Sequence, residues 1–254
     1  MTPSDRSLSD AVVAVIGGGG GLGGPIARQL AGQGAHVLLA GPRVERLAQV
    51  GVEDAVCVEL DIRDPRAGDR LSACAVEQFG RLDGVINAAG VVAFGSLVDN
   101  DDAVIEELFL TNVIGPLWLL KRLVPLLADS RGFVVNVSAV VAEQPMANLA
   151  AYSSSKAALT AADRALTREL RRLGISVCDA RPPHTETGLA QRPLAGTAPS
   201  LPVGLAPDLV AARIVDAVLT GTTELAPEDF TAGPAPRGSA STGTASTGTE
   251  GAAP

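Results

Sequence analysis

The sequence predicts a doubly wound α/β domain, a parallel sheet with helices on both faces, and three observations predict it. Short β-branched apolar runs alternate with longer helical patterns along the chain. The runs are apolar at successive positions, as strands buried on both faces are. The first of them opens into five consecutive glycines with a helical pattern directly behind, the order of a β-α-β unit. With 254 residues and 46% hydrophobic content, the chain can bury one large core of this kind.

In chain order the strands are expected at 11–16, 36–40, 55–60, 84–87, 133–137 and 175–180. Between them the patterns predict helices at 24–32, 44–50, 65–79, 101–127 and 152–173, so the β-α units repeat with right-handed crossovers. A last helix at 207–219 is followed by an edge strand near 223–225. One domain over 1–230 results, with a flexible N-terminus at 1–9 and a Pro-, Ala-, Gly- and Leu-rich segment at 189–207 that suits a substrate lid. Residues 231–254 are almost entirely Gly, Ala, Ser, Thr and Pro, and a disordered tail is expected there.

Composition excludes several function classes. The formal net charge of −8 and pI near 4.8 argue against a nucleic-acid surface, which needs a basic face. No uninterrupted apolar stretch is long enough to predict a membrane span, and Met1 to Arg6 lacks the pattern of a secretory leader, so a cytoplasmic protein is expected. Cys57, Cys74 and Cys178 are odd in number and far apart, which suits buried free thiols. With His36 and His184 the only histidines, no metal site is expected.

Two local patterns carry chemistry. Gly17, Gly20, Gly21 and Gly23, with Leu22, lie between the first strand and first helix, where glycine lets the backbone approach a pyrophosphate and a helix N-terminus offers free N–H groups. Tyr152, the only tyrosine, lies four residues before Lys156, one of two lysines. On a helix the two share a face, and a fixed ammonium would lower the phenol pKa toward use as an acid or base. The plain alternative is a helix that packs Tyr152 on its apolar side while Lys156 reaches for solvent.

These residues together resemble the short-chain dehydrogenase/reductase family over about 12–189. Its glycine motif matches Ile16 to Gly23, its N-N-A-G motif Asn87-Ala88-Ala89-Gly90, its helix-four asparagine Asn112, and its Tyr/Lys pair Tyr152 and Lys156. The resemblance implies a Rossmann-type domain, a nicotinamide cofactor, and hydride transfer between an alcohol and a carbonyl compound. It implies that Tyr152 gives or takes the proton, that Lys156 binds the nicotinamide ribose and lowers the Tyr152 pKa, and that Asn112 holds a water of the proton path. By the same resemblance Asp61 and Ile62 contact the adenine, Asn87, Ala88, Gly90 and Pro182 border the cofactor, and Thr187 meets the carboxamide; a capping role is the alternative for Asp61. It also implies a homodimer or homotetramer formed through helices 101–127 and 152–173, with Leu117, Trp118, Leu120 and Leu123 offering apolar surface.

The chain departs from the family in two places. Ala139 stands where a serine normally steadies the substrate oxygen, with Ser138 as the neighbouring substitute, although adjacent residues at a strand end point opposite ways. Pro183 replaces a usual glycine, and His184 is either a substrate-facing donor or an exposed loop residue. At the end of strand two no acid is present to pair with ribose hydroxyls; Gly41 leaves room for a 2′-phosphate and Arg43 could reach it, which favours NADP over NAD. Three readings stay open: an active reductase or dehydrogenase on a small or medium apolar carbonyl or alcohol, a dinucleotide-binding pseudoenzyme or regulatory subunit, and an epimerase or dehydratase on the same scaffold.

Overall fold

The computed structural model describes residues 6–231. Seven strands form one wholly parallel sheet: β1 Val12–Ile16, β2 His36–Gly41, β3 Val56–Glu59, β4 Gly84–Asn87, β5 Phe133–Val137, β6 Ser176–Ala180 and β7 Glu224–Leu225. Their order is β3-β2-β1-β4-β5-β6-β7. Seven α-helices flank it: α1 Gly23–Gly32, α2 Val44–Ala48, α3 Ala67–Phe79, α4 Asp102–Phe109, α5 Gly115–Asp129, α6 Ala150–Leu170 and α7 Pro207–Thr220. This is the predicted doubly wound, Rossmann-type architecture.

Alternation along the central strand divides the core in two. Val13 and Val15 of β1 face α1 and α7, packing with Ile26, Leu30, Ile214 and Val218. Val12, Ala14 and Ile16 face the other layer, with Leu71 of α3 and Leu119 and Leu123 of α5. Burial on both faces is why β1 reads as a continuous apolar run, whereas β3, at the sheet edge, is only partly buried. Strand order reverses between β1 and β4, and a crevice opens beyond the carboxyl ends of strands at such a switch point.

Three features differ from the expectation. The helix predicted at 101–127 is broken by a π turn, Leu110–Ile114, in which the Gly115 N–H goes back to the Leu110 carbonyl. Pro116 explains the place: it has no N–H for the Asn112 carbonyl four residues earlier, so the ordinary ladder fails there. Residues 6–9, expected to be flexible, are held, with Leu8 buried in the core and the Arg6 N–H donating to Leu219 O at 2.9 Å. Of the three cysteines only Cys178 is buried; Cys57 and Cys74 are half-buried. The expected tail lies outside the described residues, apart from Thr231.

The run Asp102–Asp129 is long and apolar enough to cross a membrane by length and composition alone. Its buried side, Leu119, Leu120, Leu123 and Leu127, belongs to the core layer of α3 and α5, and Leu108 is buried in a separate small cluster.

Candidate active site

The glycine turn follows directly from the end of β1. Gly17 has φ +74°, a left-handed conformation, and a Cβ there would lie 2.8 Å from Ala89 N on the β4 side. The amides of Gly17 and Gly18 donate to Ala40 O, and that of Gly20 to Gly17 O. Those of Gly19, Gly21 and Leu22 make no hydrogen bond among the described residues, and α1 starts behind them with no side-chain cap. Unused N–H groups at a helix N-terminus form an anion site. A Cβ on Gly21 would fall 2.2 Å from Thr187 O, so the loop after β6 closes against this turn only because Gly21 has no side chain. Gly23 packs on Gly17 O and does not line the cleft.

From this turn a cleft of about 550 Å³ runs along the strand ends to Tyr152 and Lys156. Ala88, Gly90, Ile62, Pro182 and Thr187 line it as expected. Asn87 does not: its amide turns to the neighbouring strand, donating to Asn136 Oδ1 at 3.2 Å and accepting from Ala89 N at 3.3 Å. Asp61 lines the cleft, but its carboxylate is gripped by Arg63, whose Nε approaches Oδ1 at 2.9 Å; this pairing, more than any other influence, holds Asp61 below the usual carboxylate range. Arg63 was missed by sequence reasoning, although its place two residues after an acid was visible.

At the β2 end, Gly41, Arg43 and Arg46 form one wall. Both arginines are exposed and neither makes an ion pair among the described residues. Arg46 was also missed; the signal was its spacing of three from Arg43 at the start of α2, which brings both side chains to one side.

At the other end, α6 presents Tyr152 and Lys156 on one buried face, at 8% and 4% exposure. Tyr152 Oη has no hydrogen-bond partner among the described residues. Lys156 Nζ donates to Val137 O at 2.9 Å. Burial pushes the Lys156 amine down to about 8, against the opposing pull of Asp179 and Asp163. Burial also pushes the Tyr152 phenol well above its ordinary value. The expected lowering of that phenol by Lys156 is therefore absent here: the ammonium is turned to Val137, and desolvation decides.

Asn112 sits in the π turn and braces the backbone after β4. Its Oδ1 accepts from Val91 N at 2.9 Å, and its Nδ2 donates to Val91 O and Ser155 Oγ, each at 3.0 Å. Both amide protons are used, so the water expected at Asn112 has no side-chain donor left. Its backbone carbonyl is the group that Pro116 deprives of an ordinary partner.

The serine question has a definite geometry. Ser138 Oγ lies 2.9 Å from Thr160 Oγ1 and accepts from the Ala139 N–H at 2.6 Å, at 3% residue exposure. Ser138 lines the cleft beside Ala139, with its hydroxyl engaged by Thr160 of α6 and by the Ala139 amide. Ala139 packs instead in the small cluster that contains Tyr152, Phe94, Val141 and Leu149. His184 lines the cleft at its outer rim, with Nε2 3.4 Å from Glu186 Oε1. The remaining wall near Tyr152 is apolar: Val92, Phe94, Val140, Met146 and Leu189. Part of the expected lid, Leu194 and Ala195, is tied to it by backbone bonds, Leu194 N to Val92 O at 2.8 Å and Phe94 N to Ala195 O at 2.9 Å.

A family model described as short chain dehydrogenase matches residues 11–196. Among curated proteins, ipsdienol dehydrogenase of Ips pini is 30% identical over 199 residues, covering 73% of this chain and 78% of that protein. An uncharacterized oxidoreductase of Staphylococcus epidermidis is 28% identical over 221 residues, covering 85% and 93%. Among solved structures, a short-chain dehydrogenase from Streptomyces avermitilis superposes with a TM-score of 0.78 at 27% identity, covering 88% of this chain and 90% of that one. A short chain dehydrogenase from Burkholderia cenocepacia, solved in complex with NADP, matches at 0.78 and 23% identity, over 87% and 90% of the two chains; at that identity it speaks for the fold alone.

Proposed function

Because this chain belongs to the short-chain dehydrogenase family, we propose that it is an NADP-dependent oxidoreductase acting on a small or medium apolar carbonyl compound or the corresponding alcohol, in the cytoplasm. One observation carries the reading: a single cleft joins the turn amides of Gly19, Gly21 and Leu22 to a buried tyrosine, and among the described residues neither those amides nor the tyrosine hydroxyl has a hydrogen-bond partner. The turn suits a pyrophosphate, and the exposed guanidinium groups of Arg43 and Arg46 suit the added charge of a 2′-phosphate.

When bound, the nicotinamide supplies or accepts the hydride. Tyr152 gives its proton to the carbonyl oxygen as negative charge develops there, or receives it in the reverse direction. Lys156, one helical turn away, stabilises the phenolate that results; a raised phenol pKa in the resting site makes that help matter more. Asn112 holds Val91 and Ser155 in place, and its backbone carbonyl is the group suited to a relay water. The apolar wall excludes water and selects an uncharged substrate, with His184 able to donate at its rim.

Arg43→Ala and Arg46→Ala are each expected to weaken NADPH binding by about 1–3 kcal/mol and to leave NADH nearly unaffected. Titrating both cofactors by fluorescence, then screening carbonyl compounds for oxidation of the one that binds, tests the reading. Tighter binding of NADH by the unaltered protein would overturn the NADP preference.

A second reading, the pseudoenzyme, is favoured by Ala139 at the cleft and by the engagement of the Ser138 hydroxyl with Thr160. Survival of Tyr152, Lys156 and Asn112 weighs against it, because a binding module needs no acid/base pair.

The assembly reading, a homodimer or homotetramer, rests on a different part of the surface from the one first expected. Leu120 and Leu123 are buried in the core, and the outward apolar positions are Ile114 and Leu117, 37% and 38% exposed, with Phe109 and Trp118 partly so. Light scattering at micromolar concentration is expected to give a multiple of the chain mass, and Leu117→Glu to reduce it; a monomer mass for the unaltered protein would contradict this.

A further inference from the structure

Behind Lys156 lies a group of buried charges that the proposed reaction does not use. Asn87, Asn136 and Asp179 are register partners on β4, β5 and β6, so their side chains share the sheet face that α6 covers, and Glu224 continues the row on β7. From α6, Asp163 projects toward this row, seven residues after Lys156 and on the same face. Asp163, Asp179 and Arg181 are 1%, 3% and 1% exposed.

Asn136 Nδ2 donates to Asp163 Oδ1 at 2.5 Å. Arg181 Nη1 donates to Asp179 Oδ2 at 2.5 Å, and the same guanidinium pairs with Glu143, at 3.0 Å, and with Glu224. Arg164 reaches Glu143 and Glu224 at 3.8 and 3.5 Å. One oxygen of each buried acid, Asp163 Oδ2 and Asp179 Oδ1, has no partner among the described residues.

Lys156, Arg164 and Arg181 thus face Asp163, Asp179, Glu143 and Glu224, one acid more than there are bases. Two ionised carboxylates, each with a buried unpartnered oxygen, are costly neighbours. A single proton on the pair eases both difficulties: it balances the charge and turns one orphan oxygen from an acceptor into a donor.

We propose that Asp163 and Asp179 share one proton, with Asp163 the neutral partner near neutral pH, and that this pair is a positioning device that sets the charge of Lys156. The electrostatics agree with the geometry. Burial pushes Asp163 up to about 8, and the charge of Asp179 pushes in the same direction. Both acids oppose the burial that brings Lys156 down to about 8, so Asp163 and the amine titrate over one range. Cys178, next along β6, faces the opposite core layer, and burial keeps its thiol neutral, pushed up to about 12.

The bearing of this pair on hydride transfer rests on the role of Lys156 proposed above; the shared proton does not, and it is measured on the full chain without cofactor or substrate. Lys121 is exposed and Lys156 is the only other lysine, so labelled lysine gives two assignable side-chain NMR signals. Infrared spectroscopy of the unaltered protein at neutral pH is expected to show a protonated carboxylic acid that disappears as pH rises through about 8. Asp163→Asn keeps the acceptor for Asn136 and puts a neutral amide of the same shape in place of the protonated acid, so the variant is expected to fold. It should remove the infrared band and lower the Lys156 midpoint by up to about one pH unit, because Asp163 ionises over the range in which Lys156 titrates and that charge no longer appears beside the amine.

Stability gives a further readout. The folded chain holds the Asp163 proton up to about 8, whereas the unfolded chain releases it near the ordinary carboxylate value of about 4, so this group's contribution is present at low pH and fades between those limits. Asp163→Asn should remove that decline. A purely structural Asp163 would move neither the Lys156 midpoint nor the slope. Absence of a protonated acid in the unaltered protein at neutral pH overturns the proposal without any variant, and so does a band or a Lys156 midpoint that stays unchanged in folded Asp163→Asn.

Discussion

Tyr152→Phe is expected to lower hydride transfer by about 10²–10⁴, the contribution of a positioned general acid or base, while NADPH affinity stays nearly constant. The asymmetry follows from where the phenol acts. Its hydroxyl has no partner among the described residues, so removing it breaks none of their bonds and withdraws only a proton needed as the oxyanion forms. The ring remains to fill the apolar cluster with Phe94, Val141 and Leu149. Steady-state kinetics beside a fluorescence titration check this; loss of binding in proportion to turnover would make Tyr152 a structural residue. Lys156→Ala should differ by damaging both, and by freeing the Val137 carbonyl that the ammonium now occupies.

Ala139→Ser is expected to raise turnover on simple ketones, by up to the 10²–10³ that one oxyanion donor supplies. Position 139 packs beside Tyr152 at the cleft, so a hydroxyl there would face the same space as the phenol. Ser138→Ala should behave oppositely. Its hydroxyl bridges Thr160 and the Ala139 amide, and its loss should destabilise the fold by about 1–3 kcal/mol through the unpaired amide, with turnover per folded molecule unchanged. Thermal unfolding together with kinetics on both variants decides the matter. Activity abolished by Ser138→Ala and unmoved by Ala139→Ser would reverse these two assignments.

The strands and helices were legible because their signals are local. The five β1 residues, buried on both faces, leave little choice of element, and the glycines behind them leave little choice of turn. The Tyr152–Lys156 pair was legible as a spacing. What the two side chains do was not, because the Lys156 bond to Val137 O depends on how α6 docks on β5. Pro116 was visible, yet its effect, a π turn that reshapes the neighbourhood of Asn112, requires knowing that the helix continues on both sides. Arg46 and Arg63 reach the cleft through folding of α2 and of the loop after β3, and single-residue reasoning credited only Arg43 and Asp61. The polar row Asn87, Asn136, Asp179 spans three strands far apart in the chain, and only the sheet register aligns it.

The central claim, hydride transfer from a bound NADPH to an apolar carbonyl compound, is tested most directly by following the label from NADPH deuterated at the transferring position of its nicotinamide ring. Mass spectrometry of the product alcohol should find one deuterium on the former carbonyl carbon, with little formed by Tyr152→Phe. NADPH that binds yet passes no deuterium to any carbonyl compound, in the unaltered protein and in Ala139→Ser alike, would contradict the account and leave a dinucleotide-binding protein without turnover.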